Sequence, residues 1–160
     1  MHLEVEKSKK HKRRPIKKAL ETPRSQITVE GLSLQHLFKN SLRGLGHLLS
    51  PGACSSAKHY DCTMKIQVTA ENSKDLLLNF LTEILALTHK HHTIFCTMYA
   101  EEITESKIVA QVYGTWFKNF DMKIKSIAKS KCYINRKEDF SYTGTIVFEL
   151  GDMITPIPTS

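Results

Sequence analysis

Two copies of one local grammar constrain this chain more than anything else in it. Ile27-Thr-Val29-Glu-Gly31-Leu-Ser33-Leu-Gln-His-Leu37-Phe38 reads as a short strand, a turn, a capping serine and the start of a helix. Ile66-Gln-Val68-Thr-Ala-Glu-Asn72-Ser-Lys-Asp75 and the leucine run behind it read the same way. In each copy a period of two gives way to a period near 3.6, the signature of a strand feeding an amphipathic helix. Leu34, Leu37, Phe38, Leu42, Leu45, Leu48 and Leu49 line the first helix, which Ser33 caps and Pro51-Gly52 stops, leaving residues 51–60 as a loop. Asn72 or Ser73 caps the second helix, and Asp75 sits in its first turn, where the helix dipole favours a carboxylate. Leu77, Phe80, Leu81, Ile84 and Leu85 form its apolar face, and its end is expected near His89.

Beyond His92 the pattern turns to strands: Thr93–Tyr99, Ile108–Tyr113, Met122–Ala128, Lys131–Asn135 and Thr143–Leu150. Strand, helix, strand, helix and then a run of strands specify an α+β two-layer sandwich. The expectation is two helices packed on a mixed or antiparallel sheet of about six or seven strands. Three segments follow: a basic disordered arm over 1–24, a folded domain over 25–150 and a flexible tail over 151–160.

Charge separates the arm from the domain. Of 23 Lys/Arg and 16 Asp/Glu, residues 1–24 hold nine Lys/Arg and only three Glu. Lys9, Lys10, Lys12, Arg13 and Arg14 are its densest part, and their mutual repulsion opposes any compact structure. Such a run fits RNA phosphates through counterion release, a nuclear-localisation signal, or a merely solvated extension. No stretch approaches the roughly 20 apolar residues of a membrane helix, and no apolar segment near Met1 reads as a secretory signal. The expected compartment is the cytoplasm, or the nucleus in a eukaryote. Cys54, Cys62, Cys96 and Cys132 form no CxxC pair, so the expectation is four reduced thiols, with Cys96 and Cys132 acting as small apolar strand residues.

From Gln26 to Leu150 the chain resembles an archease domain. Val68-Thr-Ala-Glu71, Asp75-Leu76-Leu77 and Phe80-Leu81-Thr82-Glu83-Ile-Leu85 are similar to that family's strand and "DLLVEWLNELL" helix. Leu32 to Phe38 resembles its first helix, Ala110 to Gly114 its "A.V.GE" strand, Ile124 to Ile127 the start of "VKAVTYH", and Ile146 to Leu150 its closing "VIFDI" strand. The resemblance implies an accessory protein, not itself an enzyme, that assists a GTP-dependent RNA ligase in tRNA splicing or RNA repair; a monomer is expected. It also implies a small acidic site for a divalent cation such as Ca or Mg.

The departures fall on that site. The family's first acidic ligand, in "HTADI", falls here at Arg24, and a later one at Ser50 or Pro51. The closing aspartate becomes Glu149, and Thr-Tyr-His becomes Ala128-Lys129-Ser130. A hard cation wants several oxygen ligands, and an arginine in their midst repels it. The usual metal site is therefore expected to be degraded. Glu149 is either a residual ligand or an exposed strand residue, and Lys125 either a contact for RNA or a protein partner or a solvated lysine.

Weaker candidates complete the reading. His89-Lys-His91-His92 fits zinc or, more simply, favourable placement of imidazoles at a helix C-terminus. Glu101, Glu102 and Glu105 read as solvated charge in a hairpin turn, and Trp116 and Phe117 as sheet-edge cover or a stacking surface for RNA. A metal-dependent nuclease would need Glu149 to meet Asp121 or Asp139, and nothing forces those carboxylates onto one face. The alternative to ligase assistance is an RNA-binding or protein-interaction module that works through the basic arm.

Overall fold

The computed structural model describes residues 23–151. The basic arm before Pro23, with Lys9, Lys10, Lys12, Arg13 and Arg14, and the tail after Gly151 lie outside the described residues.

Seven strands and two long helices alternate as the sequence implies. They are β1 (Arg24–Gly31), α1 (Leu34–Leu49), β2 (Cys62–Thr69), α2 (Ser73–His91), β3 (Thr93–Ile103), β4 (Lys107–Trp116), β5 (Ile124–Ile127), β6 (Tyr133–Arg136) and β7 (Tyr142–Leu150). Ser33 caps α1 by accepting the His36 N–H at 3.2 Å. Asn72 caps α2 by accepting the Asp75 N–H at 2.8 Å, and its amide donates back to the Asp75 carboxylate at 3.1 Å. The first bond satisfies a backbone donor that the first helical turn would otherwise leave open, and the second holds the two side chains together. α2 runs two residues past His89 and ends where His92 enters the left-handed region at φ 50°.

Every strand pairing is antiparallel, and the strands form two sheets rather than one continuous sheet. One sheet is β2-β4-β3. In the other, β7 pairs with β1 along one edge and with both β5 and β6 along the other. β5 and β6 thus form one broken row, interrupted by a 3-10 turn over Lys129–Lys131. The sequence pattern starts the first half of that row at Met122 and the second at Lys131; the turn and the loop before Ile124 trim both. Cys132 lies in the break. Its Sγ accepts the Val147 N–H at 3.3 Å and donates to the Ala128 carbonyl at 3.3 Å, so a thiol keeps the interrupted ladder satisfied. Burial pushes this thiol's pKa above its usual value.

Both helices cover one side of the two sheets. α1 packs on β1 and β3, α2 on β2, β3 and β5, and the rings of Phe38 and Phe80 meet at 5.3 Å between the helices. Phe38, Phe80, Phe95 and Phe148, with most of the leucines of both helices, are fully buried there. The far faces are polar or part-exposed, which is why β2 alternates so cleanly. No helix among the described residues is long and apolar enough to cross a membrane.

The cysteine expectation is corrected at two positions. Cys54, in the loop after α1, is disulfide-bonded to Cys96 on β3, across 42 residues of sequence. The reason is tertiary: Gly46 of α1 approaches Phe95 and Ile94 so closely that an added Cβ would lie 3.1 Å from the Phe95 carbonyl oxygen, which brings the loop onto β3. Spacing along the chain carries no trace of that approach. The bond also sits poorly with a reducing compartment. Cys62 and Cys132 are free.

Candidate functional site

Directly opposed residues in an antiparallel ladder share a face. On β1 and β7 the register sets Arg24 against Glu149, and β5 sets Ser126 against Glu149 from the other side. Three strands therefore place Arg24, Glu149 and Ser126 in one row on the face away from the helices. Arg24 Nη2 lies 3.9 Å from Glu149 Oε2, and the Ser126 hydroxyl donates to Glu149 Oε1 at 3.2 Å. The ion pair is 42% and 32% exposed at its two side chains. A pair so open contributes about 0–1 kcal/mol, so stability is not its main consequence.

Two hollows flank this row. A groove of about 440 Å³ is lined by Arg24, Gln26, Lys131, Tyr133, Thr145 and Val147. Val147 and Thr145 belong to the outward face of β7, where Gln26 and Tyr133 are their cross-strand partners. The second hollow, about 260 Å³, lies between α2 and β5 and is lined by Thr82, Leu85, His89, Lys125, Ser126 and Lys129. Lys125 is exposed. It occupies a bulge, since pairing jumps from Ile124–Leu150 to Ser126–Glu149 and leaves Lys125 without a partner on β7. The bulge, more than simple alternation, aims it outward.

The residues at this place do not fit a divalent cation. Glu149 is a single carboxylate, already engaged by Ser126 and by the positive Arg24. Among the described residues no three His, Cys, Asp or Glu side chains come together as a ligand set. Ser50, at the position of another family acid, caps the end of α1 and lines a different cavity, beside Cys54 and Cys96. Asp139 is held at the opposite end of β7, accepting the Ser141 hydroxyl at 2.6 Å and the Ser141 N–H at 2.9 Å. Those two bonds, the hydroxyl first, hold its carboxyl below the usual range.

The weaker candidates resolve individually. His89 Nε2 lies 3.3 Å from the Ile124 carbonyl, and its ring meets Phe120 edge-on at 5.2 Å, so it joins α2 to β5. Phe117 packs on Phe120 at 4.2 Å, whereas Trp116 is 64% exposed. Glu101 and Glu102 lie inside β3 rather than in the turn, paired with Lys65 at 3.2 Å and Lys107 at 3.6 Å. Sequence reasoning missed one feature with a legible signal. From Ile124 to Lys137 the chain has five Lys/Arg and no Asp or Glu, and the fold turns that run into the β5–β6 edge.

The chain matches the profile of the Archease protein family (MTH1598/TM1083) over residues 25–150. Its fold is similar to the solution structure of Methanobacterium thermoautotrophicum protein 1598, with a TM-score of 0.63 at 16% identity, covering 81% of this chain and 94% of that one. It is also similar to the crystal structure of an archease, described as a possible chaperone, from Thermotoga maritima, with a TM-score of 0.49 at 13% identity, covering 78% and 89%. No curated protein matches the chain significantly.

Proposed function

The chain belongs to the archease family, and on that premise we propose that it is an accessory protein that assists an RNA ligase in tRNA splicing or RNA repair, without catalysing a reaction of its own. The family match supports this reading, and the pairing of Arg24 with Glu149 carries its particular form. Where the family resemblance calls for acidic ligands around a cation, this chain supplies an arginine whose own charge neutralises the one carboxylate beside it. The site then works as a fixed polar surface that needs no ion to be complete. Its one hydroxyl–carboxylate contact, Ser126 with Glu149, is shared with the Arg24 guanidinium, and among the described residues no second carboxylate joins it, so binding is the chemistry we assign to the site.

The test is guanylylation of a cognate RNA ligase, followed with and without the full chain and with chelator present. Stimulation that survives chelation supports the proposal. No stimulation at stoichiometric protein argues against ligase assistance, and stimulation abolished by chelation of the accessory protein alone argues against an ion-independent site.

A further inference from the structure

Cations on the β2-β4-β3 sheet and on the β5–β6 edge are treated differently. On the β2-β4-β3 sheet, Lys65 and Lys107 are each matched to a glutamate. On the β5–β6 edge, Lys125, Lys129 and Lys131 are all exposed and stand in no ion pair among the described residues. Tyr133, 51% exposed, lies along the same edge, whereas Arg136, opposite Tyr142 on β7, belongs to the other face of the sheet and packs its guanidinium 5.0 Å from the centroid of Phe140 in the turn after β6. Tyr133 and Lys131 also line the groove that Arg24 lines from β1.

We propose that this edge, from Lys125 through Lys129 and Lys131 to Tyr133, is a track for single-stranded RNA within the folded domain, independent of the N-terminal arm. Unpaired cations in a row follow a phosphate backbone by releasing its counterions. The exposed ring beside them accepts an unstacked base, which a duplex does not offer. The row runs beside β7 from Glu149 to Thr145, which at strand rise is roughly 13 Å, room for about two or three nucleotides. RNA rather than DNA as the occupant rests on the function proposed above. The competing role for edge lysines is to keep one sheet edge from pairing with another, and it makes a different prediction.

The experiment uses the full chain with Lys9, Lys10, Lys12, Arg13 and Arg14 all changed to Gln, so that the arm contributes little charge. Binding of a fluorescent oligouridylate is titrated over a range of salt. In that background Lys129→Gln with Lys131→Gln is expected to reduce the slope of log affinity against log salt by about 1.4, at roughly 0.7 per cation on a single strand. Tyr133→Ala is expected to weaken binding about tenfold with the slope unchanged. Absence of binding by the arm-neutralised chain overturns the proposal. So do lysine and tyrosine variants that bind as the background does, and in that case light-scattering growth of the lysine variant would assign the edge to protection against aggregation. Ligase stimulation is measured on the same variants. Stimulation without RNA binding refutes the track and leaves the accessory role intact, whereas RNA binding without stimulation does the reverse.

Discussion

Reducing the Cys54–Cys96 bond is the sharpest perturbation this fold offers. The bond closes a loop across 42 residues, and in the chain-entropy description a loop of that size raises the free energy of the unfolded state by roughly 4 kcal/mol at 25 °C. Little on the native side offsets this. The hydrogen bonds around Cys54 stay within the loop, as Ala53 N–H to Ser50 O, Ser56 N–H to Gly52 O and Ala57 N–H to Cys54 O. The bond is thus the principal tie from the middle of that loop to β3. Reduction is expected to lower global stability by about 2–4 kcal/mol and to raise amide exchange selectively over residues 51–60. Urea unfolding, with and without a phosphine reductant, reads the first effect. With a slope of about 2 kcal/mol per molar, the middle of the usual range, the midpoint should fall by about 1–2 M. Cys54→Ala should behave like the reduced chain, because its side chain is only half-buried and Cys96 keeps its place in the core. An unchanged midpoint, after mass spectrometry has verified reduction, would refute the energetic argument. Complete alkylation of all four thiols in the unfolded, unreduced chain would refute the pairing itself.

Other consequences are as direct. Gly114→Ala places a Cβ 2.5 Å from the Ile94 carbonyl oxygen and 2.5 Å from Thr93 Cγ2; since backbone has to shift, thermal unfolding should show a loss of about 1–3 kcal/mol. Buried Cys132 should react with maleimide far more slowly than Cys62 in the native protein, the two being distinguished by peptide mapping. Because burial raises the Cys132 pKa, its contribution to stability is intact below about pH 8.5 and declines as pH rises beyond it, when the unfolded thiol ionises first. Asp139 behaves oppositely: its lowered pKa stabilises the fold above about pH 4 and that contribution disappears as pH falls through the folded value. Asp139→Asn should flatten the acid limb of a stability–pH curve, and an unaltered limb would show that the Ser141 bonds favour both protonation states equally.

Periodicity carried the helices and most strands, because Leu37, Phe38, Phe80 and Leu81 are buried for the same reason that they recur every three or four residues. The capping residues Ser33 and Asn72 were legible because their hydrogen bonds are local. What depends on distant partners was not. The division into two sheets follows from β7 receiving three partners, and β5 and β6 look like separate strands in sequence although they share one edge. Cys54 and Cys96 meet only once α1 lies on β3. Arg24 was recognisable as a departure from the acidic pattern, but its partner is set by a ladder that joins the two ends of the described domain.

That ladder also explains why a change of residue type there changes what the surface can hold. A gross attraction of about 4 kcal/mol acts between unit charges near 4 Å at an effective dielectric of 20, yet the exposure of Arg24 and Glu149 reduces the net contribution to about 1 kcal/mol or less. Selection for stability alone gives little reason to keep such a pair. Its larger effect is on charge: Arg24 cancels Glu149, and the groove beside it is left with Lys131 and the hydroxyls of Tyr133 and Thr145. The β1–β7 register therefore fixes where side chains from the two ends of the domain meet, while the identity of one residue decides the sign of what they attract. With an acid at position 24 the row would gather negative charge and suit a cation; with Arg24 it abuts a positive edge and suits an anion. The same backbone is thus compatible with both the family likeness and the proposed change of ligand, from a cation to an RNA phosphate.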